Sequence, residues 1–210
     1  ASGGILMTTQ SFDVAIVGAG AAGIAAAASL KKRERHLSVA LIDSAVMHYY
    51  QPGWTMVGGG IFQAPSTARS MASVVPRNVS WIQQSVHEFQ PDDNTLLLDD
   101  GSSVVYEQLV VAPGLQLDWA GVEGLTENLG RNGVTSNYAY HTAPYTWELI
   151  QNLRSGTALF TQPPMPIKCA GAPQKALYLS ADHWRRQGCL PSIDIEFCTS
   201  TPGLFGVADY

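Results

Sequence analysis

Six consecutive residues near the start of the chain have the spacing of a loop that binds a dinucleotide phosphate. The run from Gly18 to Gly23 reads GAGAAG and has the form GxGxxG. It follows an apolar run typical of a buried strand and opens an Ala-rich stretch typical of a helix. Asp43 ends the next apolar run, twenty residues after Gly23, where a carboxylate can accept hydrogen bonds from a ribose diol.

Each glycine of this loop has a physical reason. Gly18 permits the tight turn, Gly20 lets a pyrophosphate approach the backbone amides, and Gly23 lets the helix pack closely on the strand. The helix N-terminus at Ala21 and Ala22 offers free N–H groups and a partial positive charge to the phosphates. The alternative is a Gly-rich turn that binds nothing. We favour the phosphate site because strand, helix and acidic residue all stand where the motif requires them.

Cys169 is the second residue with the means to do chemistry, in the sequence KCAGAPQK at residues 168–175. It stands between a predicted strand and a predicted helix, where a second dinucleotide domain would carry its own GxGxxG. The phosphate loop is lost there, which disfavours NAD(P)H as the reductant. The thiol gains a helix N-terminus and two nearby lysines, Lys168 and Lys175, and both features stabilise a thiolate suited to sulfur redox chemistry. The alternative is a buried structural cysteine.

The other polar residues give weaker signals. Cys189 and Cys198 are interpreted as buried thiols, although Cys198 ends a strand at the same sheet edge as Cys169 and could approach it. The histidines show no metal-ligand spacing with cysteines or acids, so no metal site is predicted. No CxxxxC pair lies on a helix after the GxGxxG unit, which disfavours disulfide reductases of the glutathione reductase type.

Composition limits the class of protein. Of the 210 residues, 46% are hydrophobic and only 14% are charged. This excludes wholesale disorder, and it is expected where part of the surface meets another domain or a membrane. The net charge of −5 and the lack of a Lys/Arg block argue against a nucleic-acid partner. Three cysteines, an odd number, argue against a disulfide framework.

Hydrophobic periodicity and turn residues predict the elements that position these side chains. Residues 48–60 are interpreted as a structured, functional loop. The predicted helices cover residues 21–32, 142–153 and 173–186. The predicted strands cover residues 12–17, 39–42, 79–89, 95–98, 103–106, 108–112, 157–161 and 192–198.

The predicted fold class is α/β, a Rossmann-like FAD-binding domain with a parallel sheet and a β-meander, followed by the start of a second Rossmann-like domain. Residues 1–10 are expected to be a disordered leader and residues 11–155 the first domain, without its returning C-terminal part. Residues 156–210 are expected to begin a second, NAD-like domain that carries Cys169. Neither a transmembrane helix nor a signal peptide is expected, because residues 14–30 are Gly/Ala-rich and no Lys or Arg precedes Lys31.

Five segments resemble the N-terminal half of the sulfide:quinone oxidoreductase family, flavoproteins with two dinucleotide-binding domains. They are GAGAAG at 18–23, LID at 41–43, HYYQPGWTMVGGG at 48–60, LVVAPGLQLDW at 109–119 and KCAGAPQKALYLSADHWR at 168–185. The QLVVAPG run at 108–114 is similar to a second FAD-contacting edge of two-domain flavoproteins. The resemblance therefore implies FAD as the cofactor.

The resemblance also implies roles for individual residues. Cys169 would be a redox cysteine that holds a persulfide or polysulfide. The cofactor-binding residues would be Gly18, Gly20, Ala21, Ala22 and Gly23 at the pyrophosphate, Asp43 at the adenosine ribose, Gln51 at another part of the cofactor, the backbone of Val86 at the adenine, and Gly114 at the phosphate–ribose region.

The implied activity is the FAD-dependent oxidation of sulfide to sulfane sulfur or polysulfide, with electrons passed to a membrane quinone. A missing C-terminal half would meet the membrane, and the protein would lie peripherally on the cytoplasmic or mitochondrial matrix face. The oligomeric state is left open. The alternatives are a type-II NADH dehydrogenase, the flavin subunit of a flavocytochrome sulfide dehydrogenase, and a truncated FAD-binding fragment without turnover. The missing second GxGxxG disfavours the first, and the expected absence of a signal peptide disfavours the second.

Overall fold

The structure, a computed structural model, describes residues 8–204. Contacts divide the chain into two compact units. The first comprises the residues up to Tyr49 together with Ala68–Gln116, and the second comprises Tyr50–Thr67 and the residues from Leu117 onward. The boundary predicted between residues 155 and 156 concerns folding domains rather than contacts and stays a prediction.

In chain order, the described strands and α-helices are β1 (Thr9–Val17), α1 (Ala21–Arg33), β2 (Val39–Ile42), β3 (Met47–Tyr49), α2 (Trp54–Gly58), β4 (Ala68–Ser70), α3 (Met71–Val74), β5 (Ser80–Ile82), β6 (Val86–Gln90), β7 (Thr95–Leu98), β8 (Ser103–Val111), α4 (Leu125–Asn128), α5 (Ala143–Asn152), β9 (Gly156–Gln162), α6 (Ala172–Arg186) and β10 (Ile193–Thr199).

The first unit is built on a six-stranded sheet with the order β5-β2-β1-β8-β7-β6. The strands β5, β2, β1 and β8 are parallel, and β7 and β6 continue the sheet as an antiparallel meander. The strands β3 and β4 pair with each other in antiparallel orientation and form a separate two-stranded sheet. This architecture confirms the predicted α/β class with a parallel sheet and a β-meander.

The sequence of β1 explains why this strand is central. Its apolar residues are buried on both faces of the sheet, as expected for a parallel strand. Ala15 and Val17 belong to a cluster with the apolar side chains of the meander. Val14 and Ile16 belong to the opposite cluster, which includes Ala27 of α1. The small residues of α1 therefore let the helix lie close to the strand that delivers the glycine loop.

Three local predictions for the first unit are wrong. Thr9 and Gln10 already belong to β1, so residues 8–10 are not a disordered leader; residues 1–7 lie outside the described part of the chain. The strand predicted over residues 79–89 is two strands, β5 and β6, which lie at opposite edges of the sheet. The two strands predicted over residues 103–112 are one continuous strand, β8.

The second unit contains a βαβ arrangement. Strands β9 and β10 pair in parallel, with Gly156 opposite Ile193, and α6 connects them. Ile150 of α5, Trp184 of α6 and Ile193 of β10 form its buried cluster. The predicted second βαβ unit is thus present, while residues 205–210 lie outside the described residues.

The segment at residues 48–60 is more regular than the loop predicted for it. Residues Gln51–Gly53 form a 3-10 turn that continues into α2. A Cβ on Gly58 would lie 2.2 Å from Oδ1 of Asn137, and one on Gly60 would lie 2.4 Å from the ring of Trp147. These glycines therefore permit close packing within the second unit.

Candidate functional site

The glycine loop between β1 and α1 is shaped by two close approaches of the backbone. Gly18 has a φ of +97°, and a Cβ there would lie 2.2 Å from the carbonyl oxygen of Ala112. A Cβ on Gly23 would lie 1.8 Å from the carbonyl oxygen of Gly18. Contacts this short exclude a side chain at either position. The backbone of the glycine loop is therefore in close contact with the backbone of the turn after β8.

Gly20 differs from Gly18 and Gly23 in the space around its Cα atom. A Cβ there would meet nothing within 4 Å, and its backbone is extended, so no packing of the protein requires glycine. The residue is exposed, as are Ala21 and Ala22 in the first turn of α1. The open space above these amides is what a phosphate needs in order to approach the backbone.

The N-terminus of α1 is free of side-chain caps. Its N-cap, Gly20, offers none, and the first turn holds no acidic residue. The first N–H groups of a helix have no intrahelical acceptors and carry a partial positive charge. An anion placed over Gly20 would therefore find several backbone donors, which fits the pyrophosphate of a dinucleotide.

Asp43 stands at the carboxyl end of β2, beside the glycine loop. Its Oδ2 accepts a hydrogen bond of 2.7 Å from the N–H of Ala19, and its Oδ1 accepts one of 2.8 Å from the N–H of Ala45. Trp81 donates from Nε1 to the carbonyl oxygen of Asp43 at 3.0 Å. The carboxylate is only partly buried, and each oxygen has acceptor capacity left for a ribose hydroxyl.

His48 is a neighbour of this loop that sequence reasoning missed. Its Nδ1 lies 3.2 Å from the carbonyl oxygen of Ala19. The histidine comes from β3, at the start of the predicted loop, and no spacing relative to the glycines indicated the contact. Ala19 is therefore contacted on both sides, by Asp43 at its N–H and by His48 at its carbonyl oxygen.

Two predicted cofactor residues lie on other strands of the first unit. Gly114 follows β8 with a φ of +83°, and a Cβ there would meet nothing within 4 Å, so its surface is open as at Gly20. Val86 begins β6, and the residue before it, Ser85, donates from its hydroxyl to Ser44 at 2.9 Å. The residue before Val86 is therefore linked to the residue after Asp43. Their cofactor contacts remain predictions.

Gln51 belongs to the second unit. It is exposed and begins the 3-10 turn before α2. The turn is held at its start, where the N–H of Tyr50 donates to the carbonyl oxygen of Thr67 at 2.8 Å. The predicted role of Gln51 at the cofactor remains a prediction.

Cys169 also belongs to the second unit, two residues before the N-cap of α6. The cysteine is exposed and has no disulfide partner, and its φ is +53°. This left-handed conformation is uncommon for a residue with a side chain. Its carbonyl oxygen accepts a hydrogen bond of 2.8 Å from the N–H of Ala172, which joins it to the first turn of the helix. The exposed thiol thus stands just before the first turn of α6, and its role as a redox cysteine stays a prediction.

Two groups interact electrostatically with Cys169. Burial raises the pKa of Tyr138, and the charge of a Cys169 thiolate raises it further. Burial lowers the pKa of Lys168, and the thiolate charge opposes that change. Tyr138 also donates to the carbonyl oxygen of Lys168 at 2.7 Å. Tyr138 is a site residue that sequence reasoning missed, because it is far from Cys169 in the chain.

The other two cysteines have different surroundings. Cys189 is partly buried beside the cluster of α5, α6 and β10, and its thiol donates to the carbonyl oxygen of Trp184 at 3.7 Å. Cys198 is exposed, so the interpretation of this residue as a buried thiol is wrong. It lies on the face of β10 opposite the buried Ile193, because alternate residues of a strand point to opposite faces.

Over residues 8–204, no group of three or more His, Cys, Asp or Glu side chains is placed to hold a metal ion. None of the helices in this range combines the length and apolar character required to cross a membrane.

Comparison with known proteins gives three findings. The profile of the family described as "Pyridine nucleotide-disulphide oxidoreductase" matches residues 12–147. The mitochondrial sulfide:quinone oxidoreductase of Mus musculus is 41% identical over 95% of this chain, and that of Dictyostelium discoideum is 40% identical over 94%. The crystal structure of the sulfide:quinone oxidoreductase from Aquifex aeolicus superposes on 92% of the chain with a TM-score of 0.77 and 24% identity.

The chain spans less than half of each of these relatives. It covers 44% of the Mus musculus protein, 44% of the Dictyostelium discoideum protein and 44% of the Aquifex aeolicus structure. The crystal structure supports the fold, and the sequence matches extend across both compact units.

Proposed function

Because this chain belongs to the pyridine nucleotide-disulphide oxidoreductase family, we propose that it supplies the FAD cradle and the redox cysteine of a sulfide:quinone oxidoreductase. The family consists of FAD-binding flavoproteins, in agreement with the cofactor and the enzyme class predicted from the sequence. The proposed reaction is the oxidation of sulfide to sulfane sulfur or polysulfide, with electrons passed to a quinone in the membrane.

One observation carries the cofactor part of the proposal. Of the three motif glycines, Gly18 and Gly23 are needed because protein backbone occupies the place of a side chain. Gly20 is not needed for any such reason, because the space above it is open. A glycine that the fold does not require, at the N-terminus of α1, is best explained by a ligand that must touch the backbone.

Different residues of the first unit would bind different parts of FAD. The N–H groups of Gly20, Ala21 and Ala22 would bind the pyrophosphate, and Asp43 would accept hydrogen bonds from the ribose. Gly114 and Val86 would contact the remaining parts of the cofactor. When bound, FAD supplies a two-electron acceptor that can be reoxidised by quinone.

Cys169 would hold the sulfur that is oxidised. A new S–S bond would form between hydrosulfide and the Cys169 thiolate, with release of one proton and two electrons, and FAD would supply the two-electron acceptor. The product on the protein is a persulfide. The exposed position of Cys169 and the nearby Lys168 support this role, because a small anion must reach the thiol and an anionic product must be stabilised.

We further propose peripheral attachment to a membrane, on the cytoplasmic or mitochondrial matrix face. The relatives at 40% and 41% identity are named as mitochondrial proteins, which favours the matrix face for a eukaryotic source. The enzyme would bind and reduce quinone at the same membrane surface.

The test is a visible absorption spectrum of the purified chain after addition of FAD and removal of the unbound cofactor. We expect a bound flavin that loses its visible band when sulfide is added without oxygen, and regains it when a soluble short-chain quinone follows. A chain that retains no FAD contradicts the cradle. A flavin that sulfide leaves unchanged contradicts the reductive half-reaction and favours a cofactor-binding fragment without turnover.

Two cysteine variants separate the roles of the thiols. Cys169→Ser should bind FAD normally and lose its visible band at least about 100-fold more slowly with sulfide, as expected when a nucleophile is removed. Cys198→Ser is the matched control, because Cys198 is also exposed and free, and it should behave as the wild type. Equal rates for Cys169→Ser and the wild type would contradict the assignment of the redox thiol.

A further inference from the structure

We propose that Tyr138 is the positioning residue of Cys169, because its hydroxyl fixes the Lys168–Cys169 segment and thereby keeps Lys168 beside the thiol. This inference rests on the proposed role of Cys169 as the redox thiol. It adds a residue from a different part of the chain to the site, and it assigns to the hydroxyl a mechanical task rather than a chemical step.

The backbone at Cys169 needs external support. Its φ of +53° is disfavoured for any residue with a Cβ, and such conformations persist only where the surroundings hold them. The bond from the N–H of Ala172 to the carbonyl oxygen of Cys169, at 2.8 Å, holds the segment from the helix side. A second attachment is needed on the other side.

Tyr138 provides that attachment. Its hydroxyl donates to the carbonyl oxygen of Lys168 at 2.7 Å and lies 3.4 Å from the carbonyl oxygen of Cys169. A hydroxyl has a single hydrogen to donate, so the bond to Lys168 is the principal one. The two successive carbonyl groups thus face one phenol, which fixes the orientation of the peptide that joins Lys168 to Cys169.

The loop that carries Tyr138 is itself well anchored. The N–H of Tyr138 donates to the hydroxyl of Ser136 at 3.1 Å. Thr142, which is 1% exposed and precedes α5, donates from its hydroxyl to the carbonyl oxygen of Ser136 at 2.5 Å. Thr135 donates from its hydroxyl to the carbonyl oxygen of Thr142 at 3.1 Å. Several hydrogen bonds therefore hold the segment that carries Tyr138, so its phenol ring is held in one position.

The electrostatics agree with this task. Burial, and then the thiolate charge, raise the pKa of Tyr138 above its ordinary value near 10, so the hydroxyl keeps the proton that it must donate throughout the neutral range. Burial lowers the pKa of Lys168, and the charge of a Cys169 thiolate opposes that change, so the thiolate favours the ammonium form of Lys168. If the segment were released, Lys168 could turn toward water and the thiolate would lose this partner.

The experiment measures the rate of alkylation of each cysteine by iodoacetamide as a function of pH, with the modified peptides quantified by mass spectrometry. In Tyr138→Phe, which keeps the ring, we expect Cys169 to react about fivefold more slowly at neutral pH, the equivalent of one net hydrogen bond. Cys198, the second exposed thiol of the same molecule, should keep its wild-type profile.

Three controls keep this test decisive. Tyr178→Phe removes a hydroxyl from an exposed position on α6 and should change neither profile. Lys168→Met should slow Cys169 in the same way, and the double variant Tyr138→Phe/Lys168→Met should be no slower than Lys168→Met alone, because one residue acts through the other. Each of three outcomes would overturn the proposal. The first is that Tyr138→Phe leaves the alkylation rate of Cys169 at its wild-type value, and the second is that the effects of the two substitutions add in the double variant. The third outcome is an equal change in the alkylation rates of Cys169 and Cys198. The assay needs neither FAD nor sulfide, so its outcome is independent of whether the chain proves to be a sulfide oxidoreductase.

Discussion

The carboxylate of Asp43 holds the glycine loop through the N–H of Ala19, in a hydrogen bond of 2.7 Å. The pattern of the sequence assigns Asp43 to a ribose alone. In the structure its second oxygen also accepts from the N–H of Ala45, so the residue fixes the end of β2 as well. The loop that would bind phosphate therefore has its shape before a cofactor arrives, and Asp43 is required for that shape.

Replacing Asp43 with Asn should show this double role. An amide has one acceptor oxygen, so one of the two N–H donors would face an NH2 group. We expect the free energy of unfolding to fall by about 1–2 kcal/mol and the affinity for FAD to fall at least tenfold, roughly 1.4 kcal/mol. Denaturant unfolding and FAD titration measure the two effects.

Asp100 is the matched control for this variant. Its Oδ1 alone accepts both bonds from Ser102, at 2.9 Å from the N–H and 2.6 Å from the hydroxyl. Asp100→Asn keeps that oxygen and should leave FAD affinity unchanged. Equal losses of FAD affinity in the two variants would mean that charge in general, rather than the position of Asp43, supports the cofactor.

The parts of the site that depend on local sequence were predictable. The glycine spacing, the strand before it and the acid after β2 lie within one βαβ unit, so local patterns and the physics of the turn define them together. Cys169 before α6 was predictable for the same reason, because a strand, a loop and a helix stand in order around it.

The parts that depend on distant contacts were not predictable. Tyr138 and Cys169 are 31 residues apart, and no periodicity links a phenol in one loop to a carbonyl in another. The break between β5 and β6 at residues 83–85 reads QQS, without the Gly or Pro that usually indicates a turn. Their position at opposite edges of the sheet follows from tertiary pairing, with β2 in one case and β7 in the other.

Gly20→Ala should separate cofactor binding from folding. A methyl group there meets nothing within 4 Å, and the backbone is extended, so the free energy of unfolding should change by no more than about 0.5 kcal/mol. The methyl would occupy the space of the pyrophosphate, and FAD affinity should fall at least tenfold, roughly 1.4 kcal/mol. Thermal unfolding without FAD and a titration with FAD measure the two effects.

Gly23→Ala is the structural counterpart. Its methyl would lie 1.8 Å from the carbonyl oxygen of Gly18, so the helix or the loop must move. We expect a loss of about 1–3 kcal/mol in the free energy of unfolding, even without cofactor. A Gly20→Ala protein as unstable as Gly23→Ala, or one that binds FAD as tightly as the wild type, would contradict the interpretation of Gly20.

Trp184 should be the main support of the second unit's βαβ arrangement. It is 1% exposed, and its Nε1 donates to the carbonyl oxygen of Ile150 at 2.9 Å. Trp184→Ala should lower the free energy of unfolding by about 3–5 kcal/mol, because a large cavity and an unpaired carbonyl remain. Tyr178→Ala, on the exposed side of the same helix, should cost no more than about 0.5 kcal/mol. Comparable losses in denaturant unfolding would exclude a special role for Trp184.

His183 should make the stability of the chain depend on pH. Its ring packs edge-on against Trp147 with centroids 4.7 Å apart, and its Nε2 is buried without a hydrogen-bond partner. Burial lowers the pKa of His183, and the positive charges of Arg186 and Arg154 lower it further.

The sign of the effect follows from this lowered pKa. The unfolded chain titrates near pH 6.5 and binds the proton more readily than the folded chain, so stability is present above that pH and is lost as the pH falls below it. His183→Phe keeps an aromatic ring against Trp147 and should flatten the stability curve between about pH 7 and pH 5, above the range in which carboxylates titrate. His36→Gln, at an exposed histidine, should leave the wild-type slope unchanged. Urea unfolding at several pH values measures the slope, and an equal slope in His183→Phe and the wild type would rule out His183 as its source.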